Sequence, residues 1–159
     1  MKLTISIPEQ SLRVLDDGGV CVREYAVSTA LNGAGEANGS GCTPRGQHCI
    51  RAKIGAGAPR CAVFRGRRWT GEVWSEALNA RYPQRDWILS RILWLSGCER
   101  GRNRLGSVDS MRRFIYIHGT PDDQPMGTPL SHGCVRMRND DVIELFEQVP
   151  VGTTVHISD

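Results

Sequence analysis

Lysine is almost missing from this chain. Lys2 and Lys53 are the only two among 20 basic residues, so nearly all the positive charge is arginine. Against 17 acidic residues the formal charge is +3, too small a surplus to argue for a nucleic-acid partner. It is compatible with a small acidic substrate, since arginine pairs bidentately with carboxylates, and a GC-rich genome explains the same bias as well. No apolar run approaches the roughly 20 residues of a membrane-spanning helix, so no membrane partner is expected. Met1-Lys2 runs straight into Leu3-Thr4-Ile5-Ser6-Ile7, with no apolar stretch and small-residue cleavage site between. A cytoplasmic protein is expected on that ground, or a periplasmic one if an export signal has been removed. There is no CxxC pair and no repeated cysteine spacing. In a chain this long Cys21, Cys42, Cys49, Cys61, Cys98 and Cys134 do not read as a disulfide framework, and free thiols in a reducing compartment are expected. Cys42, His48, Cys49 and Cys61 can be drawn as zinc ligands, but their spacing matches no common finger. The expectation is no metal and no cofactor.

What is present describes a soluble globular domain. The 159 residues are 40% hydrophobic and 23% charged, enough to close a core without staples. Neither internal repeats nor a low-complexity linker divides them, so residues 1–159 read as a single domain, expected as a monomer. Leu3, Ile5 and Ile7, then Leu12 and Val14, alternate with polar residues. Asp16-Asp17-Gly18-Gly19 supplies a hairpin turn, and Val20, Val22 and Ala26 resume the alternation, which together predict a β-meander. Residues 32–47 are rich in Gly, Asn, Ser and Thr and read as loop. Ile50 to Ile54 predicts a strand, Arg65 to Trp74 a surface excursion, and Trp87 to Leu95 an apolar strand. Gly97 to Ser110 is loop, Phe114 to Ile117 a buried strand, and 119–133 a long loop. One helix is expected from Asn139, with Asn139, Asp140 and Asp141 as N-cap and first-turn charge. Val142, Ile143, Phe146 and Val149 recur at helical spacing. Pro150 and Gly152 end it before a last strand, Thr153 to Ile157. The fold class is mainly β.

The chemistry is concentrated in Ser131-His132-Gly133-Cys134-Val135-Arg136 and in His118-Gly119-Thr120, which closes the Phe114–Ile117 strand. A nucleophilic cysteine needs a base to become a thiolate and N–H donors for the oxyanion formed at an attacked carbonyl. His118 stands sixteen residues before Cys134, where an apolar strand would expose it, and is expected to depress the thiol's pKa. Gly119 and Gly133 leave room for backbone to approach a substrate, and the N–H groups of Gly133 and Cys134 are candidate oxyanion donors. Two buried histidines and a structural thiol form the alternative. Caspase chemistry also pairs His-Gly with Cys, but at a separation of about 50 residues and with another cysteine motif.

His118-Gly119-Thr120, the loop with Met126-Gly127-Thr128-Pro129, and Ser131-His132-Gly133-Cys134-Val135-Arg136-Met137 together resemble the L,D-transpeptidase catalytic (YkuD-type) domain. Ser28-Thr29-Ala30, the Thr43-Pro44-Arg45-Gly46 turn and the strand from Ile88 to Gly97 extend the likeness over most of the chain. The resemblance implies a β-sandwich-like fold and a cysteine acyl-enzyme acting on the diaminopimelate–D-Ala bond of peptidoglycan stem peptides or muropeptides. By carry-over, Cys134 is the nucleophile, His118 the base, and Gly119 the carbonyl that orients the imidazole. Ser131, His132 and Gly133 shape the site. Arg136 binds a substrate carboxylate, walls the site or makes a structural ion pair. Tyr116, Trp87 and Trp94 read as core, while Trp69 and Trp74 are candidates for a cleft wall. The same residues serve an L,D-carboxypeptidase, which passes the acyl group to water, and an L,D-transpeptidase, which passes it to an amine. The first is favoured by the absence of an export signal and of a murein-binding repeat. A non-catalytic binding or metal-stabilised module is the remaining reading.

Overall fold

Residues 1–159 are described by a computed structural model. The meander forms as expected, with β1 (Lys2–Ser6), β2 (Ser11–Leu15) and β3 (Cys21–Ala26). Strand side chains point alternately to opposite faces, and Leu3, Ile5, Leu12 and Val14 all reach the inner one, fully buried. Between β2 and β3, Asp16 Oδ1 accepts from the N–H groups of Gly18 and Val20, both at 2.9 Å, and pins the turn.

The remaining elements are β4 (Gly46–Ile54), β5 (Ala62–Arg65), β6 (Arg68–Val73), α1 (Glu76–Arg81), β7 (Leu89–Gly97), β8 (Tyr116–Gly119), β9 (Val135–Met137), α2 (Asn139–Gln148) and β10 (Thr154–Ser158), with a 3-10 turn at Gly106–Val108. They join one mixed sheet in the order β3-β2-β1-β10-β4-β7-β5-β6. β7 is the branch point: β4 pairs with Ile92 to Gly97, while β8 pairs with Leu89 to Trp94 along the other edge. β9 then lies parallel to β8. The protein is mainly β, as its alternating pattern predicts. Nineteen buried residues form the main core, and α2 closes it with Val142, Leu145 and Phe146, followed by Val149. Each such aliphatic or aromatic side chain contributes about 1.5–3 kcal/mol on burial. No helix is long and apolar enough to cross a membrane.

Four local expectations are corrected. The segment from Arg65 to Trp74 is a surface feature but an ordered one, the β5–β6 hairpin. Its outward residues Arg68, Trp69, Thr70 and Gly71 are exposed, so no alternation marks it. α1 went unpredicted because it buries none of its residues and has no apolar stripe; Ser75 caps it by accepting from Leu78 N at 3.1 Å. Asn139 is no cap. Arg138 holds that position without a side-chain bond, and Asn139 sits in the first turn, fully buried. Its amide is engaged elsewhere, accepting from Ser90 Oγ at 2.5 Å and donating to Thr120 O at 2.8 Å and Asp122 Oδ1 at 3.0 Å. Phe114 lies outside β8, half exposed, with φ at +57°.

Candidate active site

The β8–β9 register sets the site. Ile117 pairs with Val135 and His118 with Arg136. Alternation sends Ile115, Ile117, Val135 and Met137 into the main core and leaves Tyr116, His118, Cys134 and Arg136 on the opposite face. The apolar residues of the two segments are thus the clamp that presents the reactive ones.

Cys134 is half buried against Ala62, Phe64, Ile92 and Tyr116. Its thiol donates to Phe114 O and accepts from Tyr116 N, each at 3.3 Å. The left-handed turn at Phe114 precedes this contact, a backbone conformation unusual for a bulky side chain. Burial pushes the thiol up to about 11; the Tyr116 N–H and the charges of Arg136 and Arg113 pull it back, and Asp86 adds to the rise. The expected depression by His118 is therefore reversed: the imidazole is not among the thiol's hydrogen-bond partners and brings it no positive charge.

His118 is buried, and Nδ1 lies 2.7 Å from Gly119 O. A carbonyl only accepts, so Nδ1 carries the proton and Nε2 keeps its lone pair. Burial lowers the imidazole's pKa, against the opposing pull of the Gly119 carbonyl and Asp86. Both members of the pair rest neutral. Gly119 must be glycine for another reason as well: a Cβ there would stand 2.6 Å from Leu89 O and 2.7 Å from Asn139 Oδ1.

The loop before Cys134 is braced from within. Ser131 Oγ donates to Cys134 O at 2.6 Å and accepts from Gly133 N at 3.2 Å. Thr43 Oγ1 donates to Gly133 O at 2.9 Å and accepts from Ala30 N at 3.0 Å. Gly133 has φ at +133°, open only to glycine. Its N–H is spent on Ser131, which removes it from the pair of expected oxyanion donors. Cys134 N–H is the donor that remains. Arg113 holds the facing loop by donating to Cys42 O at 2.6 Å and to Gly35 O and Glu36 O at 3.3 Å.

Asp86 ties two expected residues together. Arg136 Nη2 donates to Asp86 Oδ1 at 3.0 Å, and His132 Nδ1 is 3.3 Å from Asp86 Oδ2. Arg136 is buried, whereas His132 is exposed and stands outside the thiol's contacts. Beside them is a polar cavity of about 220 Å³, lined by Thr120, Asp123, Gln124, Arg85, Asp86 and Arg136. On the other flank Arg67, at the β5–β6 turn, stacks over Trp94 at 4.8 Å and Phe114 at 5.0 Å and donates to Tyr116 Oη at 3.3 Å. Trp87 is buried as expected; Trp94 is only partly so, and Trp69 is exposed. Asp86, Thr43, Arg113 and Arg67 were not singled out as site residues. Thr43 belongs to the Thr43-Pro44-Arg45-Gly46 turn, but its bond to Gly133, like the contacts of the other three, joins segments far apart in the chain.

Cys42, His48, Cys49 and Cys61 do not converge on a ligand cluster. His48 is fully buried with both nitrogens engaged, Nδ1 at 3.0 Å from Gly46 O and Nε2 at 2.8 Å from Ser110 Oγ.

Known proteins share part of the sequence and the fold. The chain is 49% identical over 47 residues to YqjB of Bacillus subtilis strain 168 and 53% identical over 47 residues to YbiS of Escherichia coli K12, both described as L,D-transpeptidases. Each match takes in 30% of this chain, and the matched parts cover only 27% and 15% of those relatives. The crystal structure of L,D-transpeptidase 3 from Mycobacterium tuberculosis, in complex with a faropenem-derived adduct, superposes with a TM-score of 0.59 over 99% of this chain and 59% of that one, at 16% identity. At that identity the likeness is one of fold. The family model of the L,D-transpeptidase catalytic domain, YkuD, matches residues 1–157, and the chain belongs to that family.

Proposed function

We propose that this protein is a cysteine acyltransferase of peptidoglycan stem peptides that hands its acyl group to water, an L,D-carboxypeptidase trimming tetrapeptides to tripeptides. The observation that carries the chemistry is the shared face of Cys134 and His118, with the imidazole proton held on Nδ1 by Gly119 O. In this reading the free Nε2 takes the thiol proton as Cys134 Sγ attacks the diaminopimelate carbonyl. Because both groups rest neutral, proton transfer accompanies attack instead of preceding it. Cys134 N–H donates to the oxyanion. The C–N bond then breaks, the proton passes from Nε2 to the leaving D-Ala amine, and a thioester remains. Water attacks the thioester, giving a proton to Nε2, and that proton returns to sulfur as the C–S bond breaks.

The choice of water over an amine is supported by the polar cavity beside Arg136, whose lining is charged or polar but for Trp87 and prolines. In this reading the cleft admits water beside Arg136, two residues past Cys134. Arg136 is held by Asp86 and acts as a wall of the site and as the charge offered to a substrate carboxylate. The substrates suited to this reading are soluble muropeptides, met by a monomeric enzyme in the cytoplasm. The test is to incubate the protein with diaminopimelate-containing tetrapeptide and excess acceptor stem and to resolve the products by mass. Tripeptide with free D-Ala is expected. Dominant cross-linked dimer would make the protein a transpeptidase, and folded protein that yields neither product would make it a binding module.

A further inference from the structure

The reactive face continues across β7. Trp94 stands opposite Tyr116, and Ser96, two residues on, stands opposite Cys49. Leu93 and Leu95 point into the core, so Trp94, Ser96 and Cys49 share the face of Tyr116 and Cys134. Past Trp94 this face opens into a cavity of about 460 Å³, within the size range of ligand sites.

Three guanidinium groups border it: Arg51 from β4, and Arg104 and Arg112 from the segment between β7 and β8. All three are exposed, and the ion pairs of the protein use other arginines. The one carboxylate in the lining, Asp109, is committed to backbone, with Oδ2 accepting from Leu105 N at 2.7 Å and Oδ1 from Arg112 N at 3.0 Å. These bonds tie down the main chain beside both arginines. Buried Asn103 anchors the other end, donating to Arg45 O and Gln47 O and accepting from Glu99 N. The positive groups are thus carried on a fixed backbone around a space where three guanidinium charges face the single carboxylate of Asp109, which leaves the lining net positive. Like charges gathered at one cavity repel, and an anion that enters relieves the repulsion.

We propose that this cavity binds a ligand bearing at least two oxyanion groups, carboxylates or phosphates, gripped by Arg51, Arg104 and Arg112. Arginine's planar fork suits both groups. The site is separate from the acyl-transfer reading and stands without it, yet it adjoins the thiol. Met111 lines the cavity, its carbonyl accepts from Trp94 Nε1 at 3.1 Å, and the Trp94 ring lies 6.2 Å from that of Phe114, whose carbonyl receives the Cys134 thiol.

The cavity carries its own reporter, because exposed Cys98 lines it. Iodoacetamide is neutral, so its approach is not steered by charge. The full chain is alkylated with increasing inorganic pyrophosphate or tricarballylate at constant ionic strength, and each cysteine is quantified by peptide mass spectrometry. Exposed Cys21 on β3 is the internal control. Bound ligand should slow Cys98 by the factor 1 + [L]/Kd, about tenfold when the ligand is at about ten times Kd, with Cys21 unchanged. The protection should vanish in Arg104→Ala/Arg112→Ala, whose exposed positions leave the melting transition in place. Protection by pyrophosphate alone identifies a phosphate ligand, and protection by tricarballylate alone a carboxylate ligand. Equal slowing of Cys98 and Cys21, no slowing, or the same protection in the double variant overturns the site.

Discussion

The backbone N–H of Tyr116 donates to Cys134 Sγ at 3.3 Å, across two parallel strands that are eighteen residues apart in sequence. This bond stabilises a thiolate once formed, but burial outweighs it and keeps the resting thiol protonated. In the proposed mechanism the thiol becomes reactive only as its proton passes to His118.

Alkylation should show this. Because the thiol is pushed up to about 11, iodoacetamide should label Cys134 more slowly than exposed Cys21 at pH 7, and labelling of Cys134 should climb steadily as pH is raised towards 11. His118→Ala should change the neutral-pH rate little, since no imidazolium supports the resting thiolate. Fast labelling of Cys134 at pH 7 that collapses in His118→Ala would show a preformed ion pair instead.

Faropenem presents a strained acylating carbonyl. It should add covalently to Cys134 and to no other cysteine, read from the mass of intact protein and its peptides. Cys134→Ala should keep its fold, lose the adduct and lose stem-peptide turnover by several orders of magnitude, on the order of 10⁴-fold or more, as removal of a covalent nucleophile does. Unchanged turnover in the folded variant would remove Cys134 from the mechanism.

Acid stability should depend on His48. Its pKa falls from 6.5 to about 4 through burial. The folded state therefore resists protonation that the unfolded state accepts. Stability is full above pH 6.5 and is lost as pH falls from 6.5 towards 4, by on the order of 3 kcal/mol for this group. The buried imidazole of His118 shifts in the same direction. Urea midpoints measured between pH 7 and 4 should fall for the native chain and fall less steeply for His48→Asn, even though that variant starts from a lower stability at pH 7.

Gly119→Ala tests the crowding behind the imidazole. The new Cβ meets a backbone oxygen and a buried amide, neither of which is a flexible chain end. A loss of about 1–3 kcal/mol in unfolding free energy is expected from such overpacking. Activity should drop further than stability alone explains, because Gly119 O orients His118. A variant as stable and active as the native chain would show that the β8–α2 contact yields freely.

Much of the site was legible because its two segments carry both signals at once. The apolar composition of Phe114 to Ile117 marks a buried strand, and the His118-Gly119-Thr120 and Ser131-to-Arg136 motifs mark the chemistry, while the division into a core face and a reactive face came with the β8–β9 pairing. The meander up to Ala26 and the apolar stripe of α2 were legible because burial and local periodicity agree there. Where burial is slight the pattern falls silent, as in α1 and β6. Asn139 misled because a good capping residue is also a good buried hydrogen-bonding hub, and only the arrival of Ser90 and Thr120 decides which.

The sequence by itself determined the mainly β architecture, the pairing of a cysteine motif with a histidine motif, and the glycines that let backbone crowd around them. These are properties of residue type and short-range order. Only the tertiary structure decided the ionisation of Cys134 and His118, the loss of Gly133 N–H to Ser131, the linking of His132 and Arg136 through Asp86, and the meeting of Arg51, Arg104 and Arg112 at one cavity. Each depends on desolvation or on contacts between residues distant in the chain, and neither quantity exists until the sheet has closed.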